Sequence, residues 1–252
     1  MMVAAIAGSG AGAAQAAETG FLNRAVTLGG VGYAYQVYVP RAYNASKTWP
    51  IILALHGAGE RGDDGLLQTE VGLGNAIRRH AERYPAVVVF PQARLDEIWQ
   101  GRGADVALAA LDASMSEYNI DSSRVYLTGI SMGGNGSWYL AYHHPERFAA
   151  LVVVCGWISE RREGLYPAIV PPSAGDPFAA VAQRVARIPV WIFHGEADDV
   201  VPVEESRRMA AALRAIGADV RYTELPDVGH GAWEPAYALA ELPVWLLQQQ
   251  IR

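Results

Sequence analysis

The chain has 252 residues, of which 51% are hydrophobic and 18% charged, and 20 Lys and Arg against 26 Asp and Glu give a net charge of −6. This composition excludes a disordered chain and supplies enough apolar material for a sizeable core. The acidic balance disfavours nucleic acid or an anionic membrane as a partner, since both attract a basic patch. The single cysteine, Cys155, excludes an internal disulfide and a cysteine-rich zinc site. The sequence contains no run of about 18 uninterrupted apolar residues, so a membrane-spanning helix is not expected.

Residues 1–18 differ in composition from the rest of the chain. They are rich in Ala and Gly and carry no charge before Glu18, and 14–16 (AQA) resembles the small-residue end of a secretory signal peptide. The positive start of such a peptide is missing, because no Lys or Arg precedes Arg24. The alternatives are a flexible leader or a start codon placed too far downstream. We expect a secreted or periplasmic protein, and otherwise a cytoplasmic one, with residues 19–252 as a single domain.

Beyond the leader, short apolar runs predict strands. Residues 24–28 and 33–39 are typical of two strands, and Gly29-Gly30 between them indicates a hairpin turn. Further strands, most of them without a polar face as in a buried parallel sheet, are predicted at 50–55, 86–90, 125–128, 151–154, 189–193 and 220–225. Helices are predicted at 105–118, 135–143 and 204–216.

This alternation of strands and helices after a hairpin predicts the α/β class. We expect a mostly parallel central sheet with helices on both faces and an N-terminal antiparallel hairpin. The stretch between 154 and 189 is too short for a large lid domain, and within it only 160–164 is expected to form a small cap. Ligands of such sheets bind beyond the carboxyl ends of the strands, so the residues that follow each strand are the candidates for function.

Ser131 is the candidate nucleophile. It is the central residue of a Gly-x-Ser-x-Gly pattern, between Gly129 and Gly133, that separates an apolar strand from a predicted helix. A serine in such a strand-to-helix turn adopts a strained backbone, and glycines on both sides remove the clashes of a Cβ. The alternative is an ordinary glycine turn, which would not require this context.

A serine hydroxyl needs a base to take its proton and an acid to orient that base. In enzymes with a serine at such a turn, the acid and then the histidine follow along the chain. His230 alone among the histidines follows every candidate acid, and it lies between Gly229 and Gly231. The alternative for His230 is a solvated loop histidine. His194 closes a strand and is expected to pack there.

The candidate acid lies in the loop after residue 193, which offers Glu196, Asp198 and Asp199. We choose Asp198, although spacing alone does not separate it from Asp199. The other carboxylates of this loop are candidates for capping the following helix.

Four segments together resemble a group of α/β-hydrolase esterases that includes feruloyl esterases, polyhydroxyalkanoate depolymerases and phospholipase/carboxylesterase-like proteins. The segments are HGAGERGDD at 56–64, DSSRVYLTGISMGG at 121–134, HGEADDVVP at 194–202 and GHGAWEPAY at 229–237. The resemblance spans about residues 25–250, and the position of the acid in these proteins corresponds to Asp198. It implies the α/β-hydrolase fold and ester hydrolysis with no cofactor and no metal, but it does not imply which ester.

The oxyanion hole is expected from the N–H of Met132, the residue after the nucleophile, and from an N–H in the loop of the first central strand. The resemblance assigns this second donor to Ala58. In the same loop, Glu60 and Arg61 are expected to form an internal ion pair.

Tryptophans at strand ends, Trp99, Trp157 and Trp233, are candidates for the substrate cleft, and core packing is the alternative for each. The expected partner is a small-molecule or polymer-linked ester, with feruloyl, acetylxylan or polyester-type substrates favoured by an open cleft. The sequence does not give the oligomeric state. The alternative functions are a serine peptidase or perhydrolase on the same fold and a non-catalytic binding protein of this fold.

Overall fold

A computed structural model describes residues 17–161 and 164–251. Its strands are β1 (Gly20–Leu28), β2 (Val31–Val39), β3 (Trp49–Leu55), β4 (Val87–Pro91), β5 (Ile120–Ile130), β6 (Ala150–Val154), β7 (Val190–Gly195) and β8 (Val220–Leu225). They form one eight-stranded sheet in the order β1-β2-β4-β3-β5-β6-β7-β8. The pairs β1–β2 and β2–β4 are antiparallel, and all other neighbours are parallel. The predicted sheet, opened by an antiparallel hairpin, is confirmed.

Helices cover both faces of this sheet. They are α1 (Leu73–Arg79), α2 (Arg102–Glu117), α3 (Met132–His143), α4 (Pro177–Val185), α5 (Glu204–Ala215), α6 (Trp233–Ala238) and α7 (Glu241–Leu247). The buried side chains of α2 to α5 join one core cluster, and those of α1, α6 and α7 join the other. Among the described residues, no helix combines the length and the apolar character needed to cross a membrane.

Strand β3 shows why the central strands have no polar face. Ile51 and Leu53 belong to the core on one side of the sheet, and Ile52 and Ala54 belong to the core on the other. Because successive side chains of a strand point to opposite faces, a strand covered on both sides must be apolar throughout. The loop after β3 therefore begins at the edge of the sheet where the other parallel strands also end.

Glycine is required at two places in the fold for two different physical reasons. At the first hairpin, Gly29 and Gly30 have φ of 57° and 79°, a conformation that favours glycine in tight turns. Helix α3 begins at Met132 and not at 135 as predicted, because Gly133 and Gly134 are helical. A Cβ on Gly133 would lie 2.0 Å from the carbonyl oxygen of Leu55. These glycines therefore allow the helix to pack closely against the sheet, and they do not mark a turn. The predicted leader lies, apart from its last two residues, outside the described residues.

Candidate active site

Ser131 occupies a strained turn between β5 and α3. Its φ and ψ are 52° and −115°, a backbone conformation that residues with a Cβ rarely adopt. The turn is held by a hydrogen bond from the Ser131 N–H to the Val154 carbonyl at 2.9 Å, while Asn135 N–H donates to the Ser131 carbonyl at 3.0 Å. A Cβ on Gly129 would lie 2.1 Å from the carbonyl oxygen of Gly133. Gly129 thus permits the turn that exposes the serine hydroxyl at the edge of the sheet, and Gly133 permits the close approach of α3 to the end of β3.

Three side chains from separate loops form one hydrogen-bonded chain that begins at this hydroxyl. Nε2 of His230 lies 2.8 Å from Oγ of Ser131, and Nδ1 of His230 lies 2.8 Å from Oδ2 of Asp198. His230 follows β8 and Asp198 follows β7, so the sheet topology brings both to the end of β5. Because Nδ1 faces a carboxylate, it carries the ring hydrogen, and Nε2 is free to accept the serine proton.

The Asp198 carboxylate is excluded from solvent and fully provided with donors. Its side chain is 0% exposed, and Oδ1 accepts the N–H groups of Val200 and Val201, both at 2.9 Å. Burial raises the pKa of Asp198, but the N–H groups of His194, His230, Val201 and Val200 outweigh it and hold the pKa well below its usual range. The carboxylate is therefore ionised beside His230.

Asp199 takes the opposite orientation on the same loop. It is exposed, whereas Asp198 points inward to His230. The structure thereby separates two carboxylates that sequence spacing left equal.

The loop after β3 places backbone N–H groups beside Ser131. Ala58 lines the same cleft as Ser131, and a Cβ on Gly57 would lie 3.7 Å from Cβ of Ser131. Met132 is the first residue of α3, and the N–H groups at the start of a helix have no partner within the helix. The positions predicted for the oxyanion donors, Ala58 and Met132, therefore lie on either side of the serine.

His56 fixes this loop from inside the core. Its Nε2 accepts the Ala93 N–H at 3.0 Å, so Nδ1 carries the ring hydrogen and donates to the Gly57 carbonyl at 2.6 Å. Burial lowers the pKa of His56 to about 4, and the ring is therefore neutral near pH 7. In the sequence, His56 is excluded as the base because it precedes Ser131, and no sequence pattern indicates this anchoring role.

The prediction that Trp99 contacts substrate is wrong. Its side chain is 0% exposed, and its indole N–H donates to the His56 carbonyl at 2.9 Å. The loop after β4 turns back under α3, where a Cβ on Gly136 would lie 2.1 Å from Cβ of Trp99. Trp99 thus supports the loop of Ala58 from below and cannot reach a ligand in the cleft.

The neutral state of His56 should appear in the pH dependence of stability. An unfolded histidine binds a proton below about pH 6.5, whereas folded His56 does so only near pH 4. Stability present above pH 6.5 is therefore lost as the pH falls toward 4, by about 3 kcal/mol in total. We expect urea unfolding of His56→Asn between pH 7 and 4 to show a pH dependence weaker by that amount. Equal pH dependence of the two proteins would contradict the assignment.

Aromatic side chains line the cleft, whose volume is about 270 Å³. The rings of Trp157 and Tyr166 meet edge to face with 5.1 Å between their centroids, and the rings of Trp233 and His230 meet edge to face with 5.4 Å between their centroids. Trp157 therefore lies where the sequence predicted a substrate contact. Of the predicted cap at 160–164, residues 162–163 lie outside the described residues, and Arg161 pairs through its backbone with Tyr166.

The predicted ion pair between Glu60 and Arg61 does not form in the described structure. Arg61 Nε instead donates to the Ala58 carbonyl at 3.0 Å, which stiffens the loop beside Ser131. Glu60 lines the cleft, and burial raises the pKa of its carboxyl group. Adjacent residues of a short 3₁₀ turn point in different directions, and this explains why the two side chains do not meet.

Among residues 17–161 and 164–251, one group of side chains has spacing suited to a metal ion. Ligand atoms of Cys155, His194 and Asp198 lie within 4.8 Å of one another. The chemistry of these donors does not favour a metal, because His194 Nε2 donates to the Val201 carbonyl and Asp198 already binds His230. Burial raises the pKa of the Cys155 thiol to about 12, so the thiolate that a metal would bind is disfavoured.

The fold and the arrangement at its carboxyl edge define an α/β-hydrolase. A family model described as the dienelactone hydrolase family matches residues 90–239. A solved structure described as a thermostable esterase has a TM-score of 0.78 and 33% identity, and the match covers 91% of this chain and 63% of that protein.

Two curated proteins are also similar to the chain. A probable feruloyl esterase C of Aspergillus terreus is 28% identical over 71% of this chain and 60% of its own length. An uncharacterized secreted protein of Arthroderma benhamiae is 27% identical over 73% of this chain and 22% of its own length. The chain thus spans less than two thirds of each of these three similar proteins.

The chain belongs to the dienelactone hydrolase family. Its resemblance to feruloyl-esterase-like serine esterases, given above from four sequence segments, is confirmed by these similarities.

Proposed function

We propose that the chain is a serine hydrolase that cleaves carboxylic esters. The observation that carries this proposal is the continuous hydrogen-bonded chain Ser131–His230–Asp198 beside an aromatic cleft. A serine, a base and an orienting acid in this geometry are the requirements for nucleophilic attack on an acyl group. All three residues of the arrangement are present, whereas a non-catalytic protein of this fold usually lacks one of them.

The geometry supports a reaction in two stages. Ser131 Oγ attacks the ester carbonyl carbon while His230 Nε2 takes the hydroxyl proton, and the N–H groups of Ala58 and Met132 stabilise the oxyanion. The C–O bond of the ester then breaks, and the departing alcohol takes the proton from His230. In the second stage His230 takes a proton from water, whose oxygen attacks the acyl-enzyme. Breaking the acyl–Ser131 bond returns the proton to Oγ and releases the carboxylic acid.

An esterase and a peptidase with the same three residues differ in the leaving group they tolerate. We expect rapid turnover of p-nitrophenyl acetate and little or no turnover of a matched p-nitroanilide, with covalent labelling by a fluorophosphonate. Faster cleavage of the anilide than of the ester would instead favour the peptidase. Absence of both turnover and labelling would refute the proposed function.

For the substrate we propose esters with an aromatic acyl group. The cleft walls contributed by Trp157, Tyr166 and Trp233 offer flat apolar surface next to Ser131, and aromatic rings pack favourably edge to face and offset. The similar Aspergillus protein named as a probable feruloyl esterase supports this choice.

A substrate panel tests this proposal. We expect kcat/KM for methyl ferulate to exceed that for methyl acetate, and Trp157→Leu to raise KM for methyl ferulate while changing hydrolysis of p-nitrophenyl acetate little. Acetylated xylan and polyhydroxybutyrate complete the panel. A clear preference for either polymer over methyl ferulate, with Trp157→Leu without effect, would refute an aromatic acyl site.

We further propose that residues 1–18 are an export leader cleaved after residue 16 and that residues 19–252 form the catalytic domain. The small-residue pattern at 14–16 supports this, as does the similarity to a fungal protein named as secreted. In a secreting host, we expect mass spectrometry of the mature protein to give an N-terminus near Ala17. An intact Met1 or Met2 terminus in the secreted protein would contradict cleavage.

A further inference from the structure

His194 lies directly behind the acid of the catalytic arrangement. It stands near the end of β7, and its side chain is 0% exposed. Nε2 lies 3.0 Å from the Val201 carbonyl oxygen and 3.2 Å from Oδ2 of Asp198, and Nδ1 lies 2.7 Å from Oγ of Ser206 on α5. Both ring nitrogens therefore have partners on the acid loop or on the helix that follows it.

The partners fix which nitrogen carries hydrogen. A carbonyl oxygen and an ionised carboxylate can only accept, so Nε2 of His194 must carry a hydrogen. Nδ1 faces a hydroxyl group, which is able to donate to it. His194 thus presents the positive end of an N–H dipole to both Val201 and Asp198.

The Asp198 carboxylate is held from two directions at once. On one side Val200 and Val201 N–H groups bind Oδ1 at 2.9 Å, and on the other side Oδ2 lies between His230 Nδ1 at 2.8 Å and His194 Nε2 at 3.2 Å. The contact with His194 blocks rotation of the carboxylate away from His230, and the bond to the Val201 carbonyl ties down the loop that carries it.

We propose that His194 is a positioning residue that holds Asp198 in the orientation required by His230. The inference rests on the proposed function. It adds a residue that touches neither substrate nor Ser131 but acts through Asp198. Small displacements of a catalytic group caused by a change outside the reacting atoms reduce rates by as much as about 10²-fold.

The test compares variants that remove or keep the Nε2 donor. His194→Phe retains a ring but has no donor, whereas the amide nitrogen of His194→Gln can replace Nε2. Ser206→Ala is the matched control, since it removes the partner of Nδ1 only. Active sites are titrated with a fluorophosphonate, so that kcat is expressed per reactive serine and loss of folded protein does not count as loss of rate.

With p-nitrophenyl acetate, we expect His194→Phe to lower kcat per titrated site by about 10²-fold with KM nearly unchanged. His194→Gln should recover most of this loss, and Ser206→Ala should stay close to the wild type. Should His194→Phe not fold, His194→Met takes its place. Wild-type kcat per site in the donor-free variant overturns the inference, as does an equal loss in the Gln variant. Failure of the wild type to turn over or to label would instead refute the proposed function.

Discussion

Ser131→Ala is expected to abolish ester turnover and fluorophosphonate labelling while the protein remains folded. The variant loses the one oxygen that lies 2.8 Å from His230 Nε2, and no other hydroxyl among the described residues is seen to bond to that nitrogen. Loss of the serine from such a triad costs about 10⁶-fold in kcat, because His230 and Asp198 have no function without it. Alanine also fits the strained turn at least as well as serine, so thermal unfolding should change little.

Ser159→Ala is the matched control for this experiment. Ser159 is partly buried after β6, and its backbone N–H, which the substitution retains, lies 3.3 Å from the Glu205 carboxylate. We expect it to keep both turnover and labelling. Turnover persisting in Ser131→Ala at a rate near that of the wild type would mean that another group attacks the ester, and the assignment of all three residues would then be wrong.

The parts of the site that the sequence predicted are those coded locally or by order along the chain. Ser131 was identifiable because it lies between Gly129 and Gly133 at the predicted change from strand to helix, and a Cβ on Gly129 would clash with the nearby Gly133 carbonyl. His230 followed from its position after every candidate acid. The mostly parallel sheet could be predicted because strands covered on both faces must be apolar, as β3 shows.

The parts that the sequence did not predict depend on how distant segments pack. Trp99 follows a strand as a cleft residue would, but the loop folds beneath α3 at Gly136, and nothing near residue 99 encodes this contact. His194 was correctly expected to pack at its strand end. Its contact with Asp198 depends on the loop doubling back over four residues, which neither residue type nor spacing specifies.

Asp198→Asn is expected to lower kcat by about 10⁴-fold with little change in KM. Both oxygens of Asp198 accept hydrogens, Oδ1 from Val200 and Val201 and Oδ2 from His230. The asparagine amide has only one oxygen. Its NH₂ group must therefore replace either Oδ1, and face the N–H groups of Val200 and Val201, or Oδ2, and face His230. If the NH₂ group faces His230, the ring must accept at Nδ1 and carry its hydrogen on Nε2, which then cannot take the serine proton.

Asp199→Asn, made beside it, is an isosteric change at an exposed neighbour with no contact to His230, and we expect its kcat and KM to match the wild type. Steady-state kinetics with p-nitrophenyl acetate on both variants, normalised by fluorophosphonate titration, provide the comparison. An inactive Asp199→Asn with an active Asp198→Asn would move the acid to the neighbouring position and refute the orientation of this loop. Ser131 and His230 would keep their roles in that case, because their 2.8 Å contact does not depend on which carboxylate orients the ring.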